Sequence, residues 1–204
     1  MTAPAAPASA TDRAARGRRG VSRRALARAV LACVLAPLMP VPARAEAVEL
    51  IALDVVRSDD EVSVDFAVRA TLPAPVEDAL RRGIALHFEA EAVLVRPRWY
   101  WRDVRVGRAR REWRLSYQPL TGSFRVSSGG LHQTFASLDE AMATMTRLTR
   151  WRVAAAADVD PDGRHVLDFV WRLDTGELPR PMQIGIGNLP EWQLAVERRI
   201  ELRR

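Results

Sequence analysis

Period-two alternation is the feature that most constrains what this chain can fold into. Val62, Val64, Phe66, Val68 and Ala70 alternate with Ser63, Asp65, Ala67 and Arg69. Successive side chains of an extended strand point to opposite faces, so the pattern predicts one face in a core and one in water. Ile84, Leu86, Phe88, Ala90, Ala92 and Leu94 repeat it, as do Trp113, Leu115 and Tyr117, and later Leu167, Phe169, Trp171 and Leu173. Residues 48–56 are apolar on both parities, which predicts a central strand covered on both faces, and Ser58-Asp59-Asp60 supplies the turn after it. Residues 124–128 and 131–136 flank Gly129-Gly130. Two glycines reach the positive φ of a two-residue turn, so this is a hairpin. Trp192, Leu194, Val196, Ile200 and Leu202 read as a closing strand.

Two helices interrupt the strands. Ser137 caps one, with Glu140 placed to reach back, and Leu138, Ala141, Met142, Met145 and Leu148 fall on one face. Residues 75–80 form the other, with Pro75 at its start and Gly83 beyond its end. The expected fold class is therefore mainly β (α+β), an antiparallel β-sandwich or open barrel of about eight strands with two short helices. Residues 46–204 contain no repeat and no linker, and read as a single domain.

Charge separates this region from what precedes it. All 31 basic residues are Arg; residues 1–45 hold eight Arg against one acid, a balance of +7, and residues 46–204 hold 23 Arg against 24 acids, a balance of −1. The basic character belongs to the leader, which argues against a nucleic-acid partner. A basic stretch over residues 13–28, an apolar run over 29–41 and Ala43-Arg44-Ala45 match a signal peptide cleaved after Ala45. The run is shorter than a spanning helix and holds Pro37 and Pro40, so no transmembrane helix is expected in the mature chain. Ser22-Arg23-Arg24 resembles a twin-arginine signal, but pairs arise easily in so Arg-rich a leader, and the general secretory route is favoured. Residues 1–20 resemble no folded element, and a start at Val21 leaves a leader of ordinary length. Arg28 leaves only four apolar residues ahead of Cys33, against a lipid anchor there. Cys33 is the single cysteine, so the mature chain has neither disulfide nor thiol nucleophile. The expected location is the periplasm or cell envelope. A composition 48% hydrophobic and 27% charged excludes wholesale disorder and a polytopic membrane protein.

Four groups of residues are candidates for chemistry. Residues 96–111 carry seven Arg and one acid, a balance of +6, interleaved with Trp99, Tyr100 and Trp101. Guanidinium forks suit phosphate and carboxylate, and aromatic rings supply stacking or an interfacial anchor. Arg96, Arg98, Trp99, Tyr100, Trp101, Arg102 and Arg105 are the expected binding residues for an anionic lipid, glycan or membrane-protein partner. The alternative is an Arg-rich edge balanced by Asp54, Asp59, Asp60, Glu61 and Asp65. His87, Glu89 and Glu91 share one face of a strand, where they form either a metal set or a solvated surface, and the surface is favoured. His132 with Ser127, Ser128 and Asp139 offers a hydrolase triad, but no Gly-x-Ser-x-Gly elbow frames either serine. His165 reads as a partly buried residue at a strand start. Trp113, Trp171 and Trp192 read as core, while Trp99, Trp101 and Trp151 read as more exposed. No cofactor motif and no metal site is expected.

The run from Trp113 to Ala141 (WRLSYQPLTGSFRVSSGGLHQTFASLDEA) resembles the DUF4390 family, as do Arg98-Trp-Tyr-Trp-Arg, Leu178-Pro-Arg-Pro-Met-Gln and Glu191-Trp-Gln-Leu. The resemblance implies an exported proteobacterial envelope protein. It assigns no activity and no catalytic residue. Its members are often encoded beside a nitrogen-regulation type sensor kinase, which hints at signalling. The expected function is a non-catalytic binding module meeting an anionic envelope component or the extracytoplasmic part of a membrane signalling protein. A hydrolase acting on an envelope substrate and a membrane-tethered accessory protein are the alternatives.

Overall fold

Nine strands in two antiparallel sheets make up just over half of the described residues in a computed structural model that describes residues 47–100, 102–186 and 189–202. The leader, Cys33 and Trp101 lie outside the described residues. The smaller sheet has the order β1-β2-β7, with β1 at Val48–Arg57, β2 at Glu61–Ala70 and β7 at Arg147–Ala155. The larger sheet has the order β6-β5-β4-β3-β8-β9. Its strands are β3 Leu86–Arg96, β4 Val104–Gln118, β5 Ser123–Ser128, β6 Leu131–Phe135, β8 His165–Leu173 and β9 Ala195–Leu202. Both sheets are open-edged, so the fold is the sandwich and not a closed barrel.

The alternation converts directly into packing. Val62, Val64, Phe66 and Val68 of β2 and Phe88, Ala90, Ala92 and Leu94 of β3 are all buried in one core. Phe66 meets Phe169 of β8 with ring centroids 5.0 Å apart, joining the two sheets at mid-strand. Phe88 and Trp171 stack at 5.2 Å, and Trp171 Nε1 donates to the Met145 carbonyl at 3.1 Å. Fully burying such an apolar side chain contributes about 1.5–3 kcal/mol. On one flank the sheets nearly touch: a Cβ at Gly107 of β4 would lie 2.4 Å from the Val153 carbonyl oxygen of β7. Only glycine fits there.

Among the described residues three helices, one more than expected, cover the ends. α1 (Ala74–Arg81) follows Pro73 and buries Val76, Ala79 and Leu80. α2 (Leu138–Met145) starts as anticipated, with Ser137 Oγ accepting the Glu140 N–H at 3.2 Å. α3 (Arg180–Ile186) was not legible, since Pro179 and Pro181 break any helical signal in a seven-residue segment. Gly129 and Gly130 have φ of 55° and 84°, as the hairpin between β5 and β6 requires.

Four sequence expectations need correction. Leu148, expected on one face of the second helix, lies in β7, because that helix ends at Met145. β1 is an edge strand, not a central one. Its register shifts between Leu50 and Ala52, so a bulge, not two-sided burial, places apolar residues on both parities, and Ile51 and Val56 stay exposed. Trp151 is buried at 9% exposure, against Phe66 at 6.0 Å. Trp192 and Leu194 are core but precede β9, because Pro190 opens a 3-10 turn there.

Candidate functional site

The Arg-aromatic segment runs from the end of β3 through the tip of the hairpin into the first half of β4. The connecting turn opens at Pro97, which lacks the N–H that would continue the ladder. Asp103 ties its two ends: Oδ1 accepts the Arg98 backbone N–H at 3.3 Å, and Oδ2 lies 3.7 Å from Arg199 Nη2 of β9. Arg96 reaches Asp160, in the loop before β8, at 3.9 Å. Trp99 is 94% exposed and Tyr100 66%. Their rings meet edge to face with centroids 4.8 Å apart. A tryptophan normally withdraws from water, so this pair in open solvent is an exception within the fold.

The seven arginines divide into two groups. Arg96 pairs with Asp160, Arg108 with Glu91 at 2.7 Å, and Arg110 with Glu89 and Glu112 at 2.8 Å each. The side chains of Arg98, Arg102, Arg105 and Arg111 form no ion pair among the described residues. The acids expected to balance the segment do not do so. Glu61 faces Arg152 at 3.5 Å, Asp65 accepts the Arg150 N–H at 2.6 Å, and none of Asp54, Asp59, Asp60, Glu61 and Asp65 pairs with residues 96–111 among the described residues. The true counter-charges lie on β3, β4 and the loop before β8, positions that sequence separation hides.

His87, Glu89 and Glu91 share the outer face of β3, but only part of that face is solvated. Glu89 is 2% exposed, held between Arg110 Nη2 at 2.8 Å and Arg172 Nη2 of β8 at 3.3 Å. Both carboxylates are thus committed to guanidinium groups. The described residues bring no three His, Cys, Asp or Glu together as a metal site. The burial of Glu89 was missed because its two cross-strand neighbours come from distant parts of the chain.

His132 does meet Ser127, Nδ1 to Oγ at 2.8 Å, because β5 and β6 pair these residues directly. The pair stands on the exposed surface of the hairpin, and Asp139, in the first turn of α2, makes no hydrogen bond to His132 among the described residues. His165 is more deeply placed than expected, at 3% exposure. The Arg81 guanidinium is held above its ordinary range, first by its hydrogen bond to Glu77, with desolvation opposing; it lies over the Tyr117 and Phe124 rings, away from the hairpin tip.

A two-sheet antiparallel sandwich with an exposed Arg-aromatic hairpin defines the class of protein. Within that class, the chain belongs to the DUF4390 family, a domain of unknown function, whose family model matches residues 45–201. No curated protein and no solved structure matches the chain.

Proposed function

We propose that this chain is a non-catalytic interaction module of the cell envelope, and that the tip of the β3–β4 hairpin is its contact element. The observation that carries the reading is Trp99, 94% exposed beside Tyr100, with Arg98, Arg102 and Arg105 free of ion pairs among the described residues. Aromatic rings with an apolar body and a polar edge settle at lipid–water interfaces, and arginine beside them takes phosphate oxygens bidentately. An exposed aromatic pair beside these arginines suits a flat anionic headgroup layer better than a ligand that needs a pocket. Export, read from the basic leader and Ala43-Arg44-Ala45, supports the envelope as the place of action and leaves nucleic acid aside. No helix among the described residues is long and apolar enough to cross a membrane.

Titrating the 15N-labelled protein with bicelles containing anionic lipid tests the reading. The expected result is a set of perturbed amides confined to residues 98–105 and their strand neighbours, absent with zwitterionic bicelles. Perturbation centred elsewhere, or none with either lipid, overturns it.

A further inference from the structure

The sandwich closes where Gly107 meets Val153, but its other flank is left open by two sheet edges, β1 and β9. Between them lies a cavity of about 340 Å³, separate from the hairpin tip. Leu53 and Val55 of β1, Ile200 and Leu202 of β9, and Val159 of the loop before β8 form its apolar wall. Asp54 and Glu201 line it as well, which disfavours an anion, and Arg57, also on the lining, spends a guanidinium N–H on the Val159 carbonyl at 3.0 Å.

His165 completes the wall, and its hydrogen bonding is half used. Nδ1 lies 3.0 Å from the Gly163 carbonyl oxygen, an acceptor only, so Nδ1 carries the proton and donates. In the neutral ring, Nε2 is then a lone-pair acceptor. It is closed to solvent and has no hydrogen-bond partner among the described residues. Buried polar atoms left in that condition are uncommon in native folds and destabilise them, so each calls for a reason. No three potential ligands converge among the described residues, so a metal ion is not that reason.

We infer that this cavity binds a small, uncharged amphipathic molecule, whose apolar body packs on the β1 and β9 side chains and whose hydroxyl or amide N–H donates to His165 Nε2. Access runs through the loop between β7 and β8. That loop packs against the ring, since a Cβ at Gly163 would stand 3.0 Å from His165 Cε1. Its ties to the sandwich include the Arg57–Val159 and Ala156–Asp60 hydrogen bonds and the Arg164–Glu201 and Arg96–Asp160 ion pairs, and these have to yield for Nε2 to be reached.

The test compares p-cresol with toluene, the same ring and methyl group without the donor, by amide chemical shifts of the whole 15N-labelled protein. Saturable shifts at Leu53, Val55, Val159 and Ile200 are expected with p-cresol, with at least tenfold weaker binding of toluene. His165→Phe keeps a ring on the wall and removes the acceptor, and the two probes should then bind alike. Ile200→Trp, which fills the cavity from an edge strand without altering the histidine, should abolish p-cresol binding and decides the matter if the His165 variant does not fold. Absence of saturable p-cresol shifts at these residues overturns the assignment. So does equal affinity of the two probes for the unaltered protein.

Discussion

Arg110 Nη2 donates to Glu89 Oε2 at 2.8 Å on the outer face of the larger sheet, and Arg172 reaches the other oxygen of the same carboxylate at 3.3 Å. Glu89 is almost wholly buried, whereas both arginine side chains are close to half exposed. The burden of the arrangement therefore falls on the carboxylate. A buried charge is tolerated only while something compensates it, and here either guanidinium alone can do so.

Removing one arginine should consequently cost little and removing both should cost much. Arg110→Ala and Arg172→Ala are each expected to lower unfolding free energy by about 1 kcal/mol or less, discounted because the guanidinium groups are solvent-screened. The double variant should lose about 3 kcal/mol or more, as Glu89 is left buried and unpaired. Urea unfolding of the four proteins measures the coupling, and simple additivity would contradict the account.

Gly107 is expected to resist even the smallest substitution. The Val153 carbonyl that a Cβ would strike is backbone, and the next nearest atom is Ala154 Cβ at 2.7 Å, so neither can swing aside. Gly107→Ala should destabilise by about 1–3 kcal/mol, the usual cost of overpacking, seen as a lower urea midpoint with unchanged slope. By contrast Gly185, whose added Cβ would meet nothing within 4 Å, should tolerate alanine.

Ser137 offers a calibrated test of local structure. Its hydroxyl accepts the Glu140 N–H at the start of α2, and replacing such a cap with alanine costs about 1 kcal/mol. Ser137→Ala should fall in that range and Ser137→Asp should restore most of the loss. Equal stability of all three would show that tertiary packing of Ala141, Met142 and Met145 alone holds the helix.

The hydrolase alternative makes a sharp prediction at Ser127. Its partner His132 is exposed and carries no carboxylate partner among the described residues. A fluorophosphonate probe should therefore leave Ser127 unlabelled. Labelling that disappears in both Ser127→Ala and His132→Ala would establish an activated nucleophile and displace the binding-module reading.

What was legible in the sequence follows from where the physical causes lie. The alternation in Leu86, Phe88, Ala90, Ala92 and Leu94 is local, and it yielded the strand, its buried face and the β-rich class. Gly129-Gly130 and Ser137 were equally local; the turn and the serine's hydrogen bond to the Glu140 N–H are present, while the Glu140 side chain makes no bond back to Ser137 among the described residues. Strand order was not legible, because β3 lies between β4 and β8 and nothing near residue 89 specifies residue 172. The same gap concealed the burial of Glu89 and the true counter-charges of the Arg-rich segment. The bulge in β1 imitated a two-sided strand, since one extra residue shifts apolar side chains from one parity to the other. Cavities formed between edges, such as that beside His165, have no signature in a single chain segment. The Arg-aromatic cluster was found from composition, but its position at a hairpin tip came only from the pairing of β3 with β4.

Pelleting the protein with large unilamellar vesicles of defined anionic lipid content, at low and moderate salt, decides whether the hairpin tip meets an anionic surface. Each arginine near such a surface contributes about 1 kcal/mol, so Arg98→Ser, Arg102→Ser and Arg105→Ser together should weaken binding on the order of 100-fold. Trp99→Ala with Tyr100→Ala should weaken it further, by roughly tenfold, and that part should persist at salt concentrations that screen the charges. Binding that vanishes on neutral vesicles and falls in this way confirms the account. Equal binding by all three proteins, or none by the unaltered protein, contradicts it.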